Sequence, residues 1–238
     1  MKTQPFILAL ETSGRSGSVA LADGPKILDQ LAFSAPMRHS AEIFTSITAL
    51  CKRFNRSPKQ IQHVYLSIGP GSFTGLRIAV TIAKIFHLAN NAKIVAVNTM
   101  DVIAANTDDC VKENNSAPQN IAAILDAKRG QFFIAAYKKQ KGLWNKSLPD
   151  CLMTAPQFLE KLTPADPPLW LLGEGLLYYK DKFKAESVKF LDQKYWMPAA
   201  KKVHTLGLQM ALEDRFADPL TLRPNYLRLP DVKQKSKN

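Results

Sequence analysis

The chain has 238 residues, of which 46% are hydrophobic and 22% are charged. This composition allows one large domain or two ordinary domains with a buried core, and it excludes a chain that is disordered overall. The apolar runs fall short of the ~20 residues that span a bilayer, and the N-terminal run is too short for a signal peptide, so we expect a soluble cytoplasmic protein with no membrane contact.

The net charge of +12 is spread along the chain. A positive field favours RNA or an acidic protein surface as a partner, although an ordinary solvated surface explains it as well. The three cysteines include no C-x-x-C pair and support neither a disulfide framework nor a structural zinc site. The four histidines lack the H-x-x-x-H and H-E-x-x-H spacings, so no metal site is predicted.

Strands and a helix are predicted at the N-terminus. Three apolar runs separated by turn residues predict a β-meander over 6–10, 18–22 and 26–33. An amphipathic pattern then predicts a helix over residues 40–54. The apolar face of this helix carries Ile43, Phe44, Ile47 and Leu50.

The most constrained turn of the chain is GPGSFTG, which connects a predicted strand over 64–68 to a predicted helix over 74–89. Its G-x-G-x-x-x-G spacing matches neither the dinucleotide fingerprint nor a P-loop. The amides of Gly69 and Gly71 could still hold an anion, and Arg77, in the first helical turn, opposes the helix dipole and calls for a negative partner. The alternative is a turn that only lets the helix pack closely.

Small residues recur along the 74–89 helix at every fourth position. Gly75, Ala79 and Ala83 would allow another helix to approach closely. The rest of the circumference is largely apolar and includes Leu76 and Val80, so the helix must be buried on more than one side. One side can meet the sheet, and the other can meet the 40–54 helix, another chain, or both. An ordinary central helix of one domain explains the same pattern.

A weak internal repeat predicts two halves. The segment AAILDAKRGQFFIAAY has the pattern of ILALETSGRSGSVALA: an apolar strand, an acid, a turn with Arg and Gly, and a second apolar strand. We therefore predict duplicated α/β halves at 1–107 and 108–230, with an irregular polar stretch over 108–119 between them. A disordered basic tail is predicted at 231–238.

The repeat places Glu11 and Asp126 at equivalent strand ends. Two acids facing each other across a cleft could hold Mg²⁺ on nucleotide phosphates. Alternatively, each acid caps the turn beside it. The residues do not decide between these roles, so no cofactor is firmly expected and ATP or Mg²⁺ is only a weak candidate.

These segments resemble the TsaB (YeaZ) family of accessory proteins for threonylcarbamoyladenosine in bacterial transfer RNA. The resemblance runs from about residue 7 to residue 229, and its most specific part is GPGSFTGLR-x-x-x-x-x-AK. Other parts are ILALETS, RHSAE, VAVNTMD, AILDAKRGQFFIAAY and PNYLRLP. The resemblance implies the actin/Hsp70/sugar-kinase fold with two ribonuclease-H-like halves, in agreement with the repeat.

The resemblance also implies a non-catalytic scaffold and activator rather than an enzyme. Such a protein binds the catalytic subunit TsaD through the 40–54 and 74–89 helices, and TsaE joins the assembly. The implied interface consists of Ile43, Phe44, Ile47, Leu50, Gly75, Leu76, Ala79, Val80 and Ala83. Without TsaD, the same surface is expected to form a homodimer. Contact with transfer RNA is expected to be indirect or weak.

Two departures from related sequences bear on this function. The catalytic TsaD family carries H-x-x-x-H where this chain reads VNTMDVI, so Thr99 and Ile103 occupy the ligand positions and cannot replace imidazoles on a metal. Glu11 stands where the family usually has Asp. The rival hypothesis is a free-standing nucleotide-binding ATPase or phosphotransferase that uses Glu11, Asp126 and the glycine turn. A direct tRNA-binding module is a third hypothesis.

Overall fold

The computed structural model describes residues 4–33, 39–114 and 118–228. The disordered tail predicted at 231–238 lies outside these residues. Within them, the chain forms two five-stranded sheets with helices packed against both.

The first sheet is built from the predicted β-meander and the two strands that follow it. The elements of this half are β1 (Phe6–Glu11), β2 (Ser18–Asp23), β3 (Lys26–Ala32), α1 (His39–Arg53), β4 (His63–Ser67), α2 (Phe73–Asn90), β5 (Lys93–Val97), α3 (Thr99–Ala104) and α4 (Thr107–Asn114). The strand order is β3-β2-β1-β4-β5. Strand β1 pairs antiparallel with β2 and parallel with β4, as an apolar strand covered on both faces can.

The second sheet repeats this topology. Its elements are β6 (Asn120–Asp126), β7 (Gln131–Gln140), β8 (Leu143–Thr154), α5 (Ala155–Leu162), β9 (Leu169–Leu172), α6 (Leu176–Tyr179), β10 (Val188–Phe190) and α7 (Ala200–Leu212). Read from its other edge, the order is β8-β7-β6-β9-β10, with β6–β7 antiparallel and β6–β9 parallel. The predicted fold of two duplicated ribonuclease-H-like halves is therefore confirmed.

Two helices cross between the halves. Helix α7, from the end of the chain, packs on β1, β2, β4 and β5, where Ala200 and Val203 join Ile7 and Tyr65 in one buried cluster. Helix α3 packs on β6 and β7, and its Ile103 belongs to the core of the second sheet. Because of these crossings, the division between residues 107 and 108 stays a prediction.

The polar stretch after residue 107 was expected to be irregular, and that expectation is wrong. Helix α4 runs through it to Asn114. Asp108 and Asp109 in its first turn interact favourably with the helix dipole, and Cys110 is buried against the second core. The sequence pattern hides this helix because Cys110 and Val111 are the only apolar residues among its eight.

The core of the first half lies between the sheet and helices α1 and α2. Leu10 and Leu66 of the central strands pack there with Ile43 of α1 and Ala79 of α2. Helix α7 covers the opposite face, so every residue of β1 is buried. In the described parts of the chain, no helix combines the length and apolarity that a bilayer crossing requires.

Candidate functional site

The glycine turn at the start of α2 packs against the loop that follows β1. A Cβ added to Gly75 would lie 1.9 Å from the Thr12 carbonyl oxygen, and one added to Gly71 would lie 2.5 Å from the Ser13 carbonyl oxygen. The Ser72 amide donates to that Ser13 carbonyl at 2.6 Å. The Thr12 hydroxyl donates to the Gly75 carbonyl at 2.8 Å. Glycine is required because the two backbones are in direct contact.

The first position of the turn requires glycine for its backbone conformation as well. Gly69 has a φ of +115°, and a Cβ there would lie 2.6 Å from the Asn225 carbonyl oxygen. Its amide donates to the Thr99 hydroxyl at 3.1 Å. This donor is therefore used within the chain, which favours the packing role of the turn. Anion binding by Gly69 and Gly71 stays a prediction.

The small-residue stripe of α2 faces the interior of the chain. Ala79 and Ala83 are fully buried in the same cluster as residues of α1. Buried residues account for eight of the nine predicted interface positions: Ile43, Ile47, Leu50, Gly75, Leu76, Ala79, Val80 and Ala83. The stripe brings α2 against the chain's own β1 loop and α1, and a seam of the stripe with another protein stays a prediction.

The outer side of the same two helices forms an open apolar groove of about 420 Å³. Its lining consists of Ile43, Phe44, Phe73, Thr74, Arg77, Ile78, Thr81, Ile82 and Ile85. Phe44 is 52% exposed and Ile85 is 46% exposed, and Leu88 further along α2 is 82% exposed. Of the predicted interface residues, Phe44 is the one that reaches solvent. We call this surface the α1/α2 groove.

Arg77 is held in place at one end of the α1/α2 groove. Its guanidinium carbon lies 3.8 Å from the centre of the Phe73 ring, and its Nε donates to the Tyr226 hydroxyl at 3.1 Å. The Tyr226 and Phe73 rings are themselves 5.0 Å apart. Across residues 4–33, 39–114 and 118–228, no carboxylate forms an ion pair with Arg77.

A second cavity, of about 710 Å³, lies between the two halves. Its polar lining includes Ser13, Arg15, Asp126, Lys128, Arg129, Glu174, Asn225 and Arg228. The segment after α7 runs along this cleft and joins both halves. The Asn225 amide donates to the Ile68 carbonyl at 2.7 Å, and the Arg228 guanidinium donates to the Ala127 carbonyl at 2.6 Å.

Both predicted acids cap the turns beside them. Glu11 is buried, and its Oε1 accepts from the Ser13 amide at 2.6 Å. Burial raises the pKa of the Glu11 carboxyl, and the hydrogen bonds from Ser13 oppose that rise. Asp126 accepts from the Lys128 amide at 2.7 Å and from its ammonium group at 2.6 Å. Within the described residues, no group of three or more His, Cys, Asp or Glu side chains could hold a metal ion.

Glu174 is a residue of the cleft that the sequence predictions did not include. Its buried carboxylate accepts from the Arg15 amide at 2.9 Å and so links the second half to the first. Burial raises its pKa, while Arg15 acts in the opposite direction. The repeat contains a signal for this position: Gly173, with φ +120°, follows β9 as Gly69 follows β4.

Thr99 and Ile103, which stand where the catalytic family has histidines, are both part of the packing. Thr99 is buried and its hydroxyl accepts the Gly69 amide. Ile103 is buried in the core of the second sheet. Neither side chain faces the cleft between the halves.

Comparison with known proteins shows which family this chain resembles. The family described as "TsaD: tRNA N6-adenosine threonylcarbamoyltransferase" matches residues 34–218, which is more than half of the chain. The tRNA threonylcarbamoyladenosine biosynthesis protein TsaB of Bacillus subtilis is 27% identical over 232 residues, covering 96% of each chain. TsaB of Escherichia coli is 25% identical over 223 residues, covering 93% of this chain and 94% of that one.

A solved structure with the same fold is YeaZ from Pseudomonas aeruginosa. It superposes with a TM-score of 0.79 at 20% identity and covers 94% of this chain and 100% of that chain. The two relatives named above, which match almost the whole length of this chain, are TsaB proteins. The match of residues 34–218 to the family model shows that the chain belongs to the family of TsaD, tRNA N6-adenosine threonylcarbamoyltransferase.

Proposed function

We propose that this chain takes part in threonylcarbamoyladenosine modification of transfer RNA as a non-catalytic scaffold and activator. It binds the catalytic subunit TsaD, and TsaE joins the pair. The observation that carries the proposal is the match to TsaB proteins along 96% of the chain, on a structure that leaves the α1/α2 groove open. The cytoplasmic location expected from the sequence stays a prediction.

The residues at the metal-ligand positions support a non-catalytic role. Thr99 uses its hydroxyl to hold the glycine turn, and Ile103 fills the second core. Restoring an H-x-x-x-H pair at these positions would place two imidazoles inside packed regions. The transfer chemistry is therefore assigned to the partner subunit.

The α1/α2 groove is the proposed docking surface. Exposed apolar patches with polar surroundings mark protein interaction sites, and Phe44 and Ile85 stand at the surface of this groove. TsaD belongs to the same family, so it would present the equivalent pair of helices, and the two chains would pair by related surfaces. A chain without its partner would form a homodimer by the same surface.

The proposal is tested by replacing the exposed residue of the groove. Phe44→Asp places a charge on the groove without disturbing the core, so the variant should fold as the wild type does and fail to bind TsaD of the same organism. Leu143→Asp is the matched control, because Leu143, the first residue of β8 in the other half, is 72% exposed. Binding is measured by calorimetry and by co-elution, followed by addition of TsaE. If Phe44→Asp binds as tightly as Leu143→Asp, the groove is not the docking surface.

The cleft between the halves supports a second candidate, nucleotide binding by the isolated chain. Arg15, Lys128 and Arg129 line this cavity and could face phosphates. The use of Glu11 and Asp126 as turn caps weighs against Mg²⁺-dependent chemistry. Calorimetry with ATP and Mg²⁺ on the isolated chain tests this candidate, and turnover would favour it over the scaffold role. A gel shift with transfer RNA tests whether direct RNA contact is more than weak.

A further inference from the structure

We propose that the α1/α2 groove selects a partner which places a carboxylate against Arg77, and that the missing carboxylate makes a second copy of this chain a poorer occupant. The inference rests on the proposed docking function and names the chemistry that the partner must present. Arg77 is then the polar anchor of an otherwise apolar interface.

The geometry of Arg77 is prepared for such a contact. The guanidinium carbon lies over the Phe73 ring, 3.8 Å from its centre, and Nε donates to the Tyr226 hydroxyl. A planar guanidinium held by stacking and one hydrogen bond still has its terminal nitrogens to offer to a carboxylate in a paired arrangement. Little side-chain entropy is then lost when the partner binds.

The charges around the groove, in the part of the chain that the structure describes, include no acid against Arg77, so we infer that the partner supplies one. Helix α2 contains Arg77 and Lys84 but no Asp or Glu along its whole length. None of the residues that line the groove is acidic, and Glu42 of α1 is not among them. A partner that covered Arg77 without supplying a negative group would bury an uncompensated charge, which is strongly unfavourable.

A homodimer formed through this groove would bury the Arg77 charge without a negative group. In a two-fold symmetric pair, the same patch faces itself, so the lining of one groove contacts the lining of the other. That lining contains one arginine per copy and no acid. Salt should therefore act in opposite directions: it should weaken the pair with the acidic partner and should leave the homodimer unchanged or strengthen it.

The experiment compares Arg77→Gln with Lys84→Gln. Lys84 lies on the same helix and carries the same charge but does not line the groove, so its loss reports general charge effects. Affinity for TsaD of the same organism is measured by calorimetry between about 0.05 M and about 0.5 M salt. We expect Arg77→Gln to weaken binding by about 30-fold at the lower salt, with a shallower salt dependence than wild type. Lys84→Gln should stay within about threefold.

Self-association is measured in parallel by sedimentation equilibrium. Arg77→Gln should form homodimers at least as well as wild type, because it removes a buried like charge. Thermal unfolding of each variant checks that the fold is retained. The inference is overturned if Arg77→Gln binds TsaD like wild type, if Lys84→Gln loses as much affinity, or if Arg77→Gln weakens the homodimer.

These outcomes remain distinct from failure of the docking proposal. If Phe44→Asp leaves TsaD binding unchanged, the groove itself is not the interface. If Phe44→Asp abolishes binding while Arg77→Gln does not alter it, the groove is the interface and the carboxylate selection is wrong.

Discussion

Gly75 and Thr12 are in backbone contact, although they lie 63 positions apart in the sequence. The Thr12 hydroxyl donates to the Gly75 carbonyl at 2.8 Å, and a Cβ on Gly75 would lie 1.9 Å from the Thr12 carbonyl oxygen. This contact sets the position of α2 against the first sheet. It also explains why the small stripe of α2 faces inward, while Ile85 and Leu88 on the other side of the helix stay exposed.

Gly75→Ala is expected to destabilise the protein, contrary to the usual effect of this change in a helix. Alanine is about 1 kcal/mol more favourable than glycine in helix interiors. Here the added methyl group meets backbone, which cannot move aside cheaply, so a net loss of about 2 kcal/mol in the free energy of unfolding is expected. Urea unfolding measures it. Thr74→Ala, at an exposed neighbour, should stay within about 0.5 kcal/mol, and an unchanged or higher midpoint for Gly75→Ala would contradict the contact.

Ala83→Arg should disrupt the fold rather than act as a clean block of docking. Ala83 is fully buried in the core between α1, α2 and the sheet. An arginine there adds volume and an unpaired charge, so we expect a loss of about 3 kcal/mol or more in the free energy of unfolding. Circular dichroism with urea measures this loss. Thr81→Arg, on the exposed side of the same helix, should unfold like wild type; equal stability of the two variants would place Ala83 at the surface.

Glu11→Gln should gain stability over wild type as the pH rises. Burial raises the pKa of the Glu11 carboxyl above its ordinary value of 4.5, so between these two pKa values the folded chain holds a proton that the unfolded chain releases. The wild type therefore loses stability as the pH rises through this window, by about 1.4 kcal/mol per unit of pKa difference. The amide of the variant does not titrate, so the variant escapes this loss.

The measurement is urea unfolding of both chains at a series of pH values from below 4.5 to neutrality. The difference between the variant and the wild type should rise with pH and then level off above the folded-state pKa. A difference that is constant or falls with pH would show that folding does not raise the pKa of the Glu11 carboxyl.

Arg228→Ala should weaken the attachment of the segment after α7 to the second half. Its guanidinium donates to the Ala127 carbonyl and to the Gln131 side chain, so the variant loses both hydrogen bonds. We expect a loss of about 2 kcal/mol in the free energy of unfolding. Arg223→Ala removes an exposed arginine from the same segment and should change it by about 0.5 kcal/mol at most. If both substitutions change the free energy of unfolding equally, the hydrogen bonds of Arg228 do not stabilise the fold.

Local patterns allowed much of the fold to be predicted. The two hairpins, with Glu11 and Asp126 at equivalent strand ends, follow from apolar alternation and turn residues that are close in sequence. Helix α2 was predicted to within one residue at each end. Strand β8 was not predicted, because Pro149 interrupts its strand pattern and its pairing with β7 has two register irregularities. Strand β8 lies at the edge of its sheet, where a proline and such irregularities are tolerated.

The candidate site was predicted less well, since exposure depends on contacts between distant segments. Phe44 and Ile43 are neighbours on α1 with the same apolar character, yet one is half exposed and the other is fully buried. Glu174 reaches Arg15 across 159 positions, and although the repeated glycine marks the position of Glu174, no local pattern identifies Arg15 as its partner. Arg77 was predicted to need a negative partner. Within the chain it instead contacts the Phe73 ring of its own helix and the hydroxyl of Tyr226, which follows α7.

The sequence by itself determined the elements around the GPGSFTG turn, the duplication of the halves and the family to which the residues point, because each of these is encoded in spacing over short distances. Only the tertiary structure decided which side of α2 is inside. Gly75, Ala79 and Ala83 could have met another protein or their own chain, and periodicity is the same in both cases. The contact with Thr12, brought near by the pairing of β1 with β4, turns them inward and leaves the α1/α2 groove open at the surface.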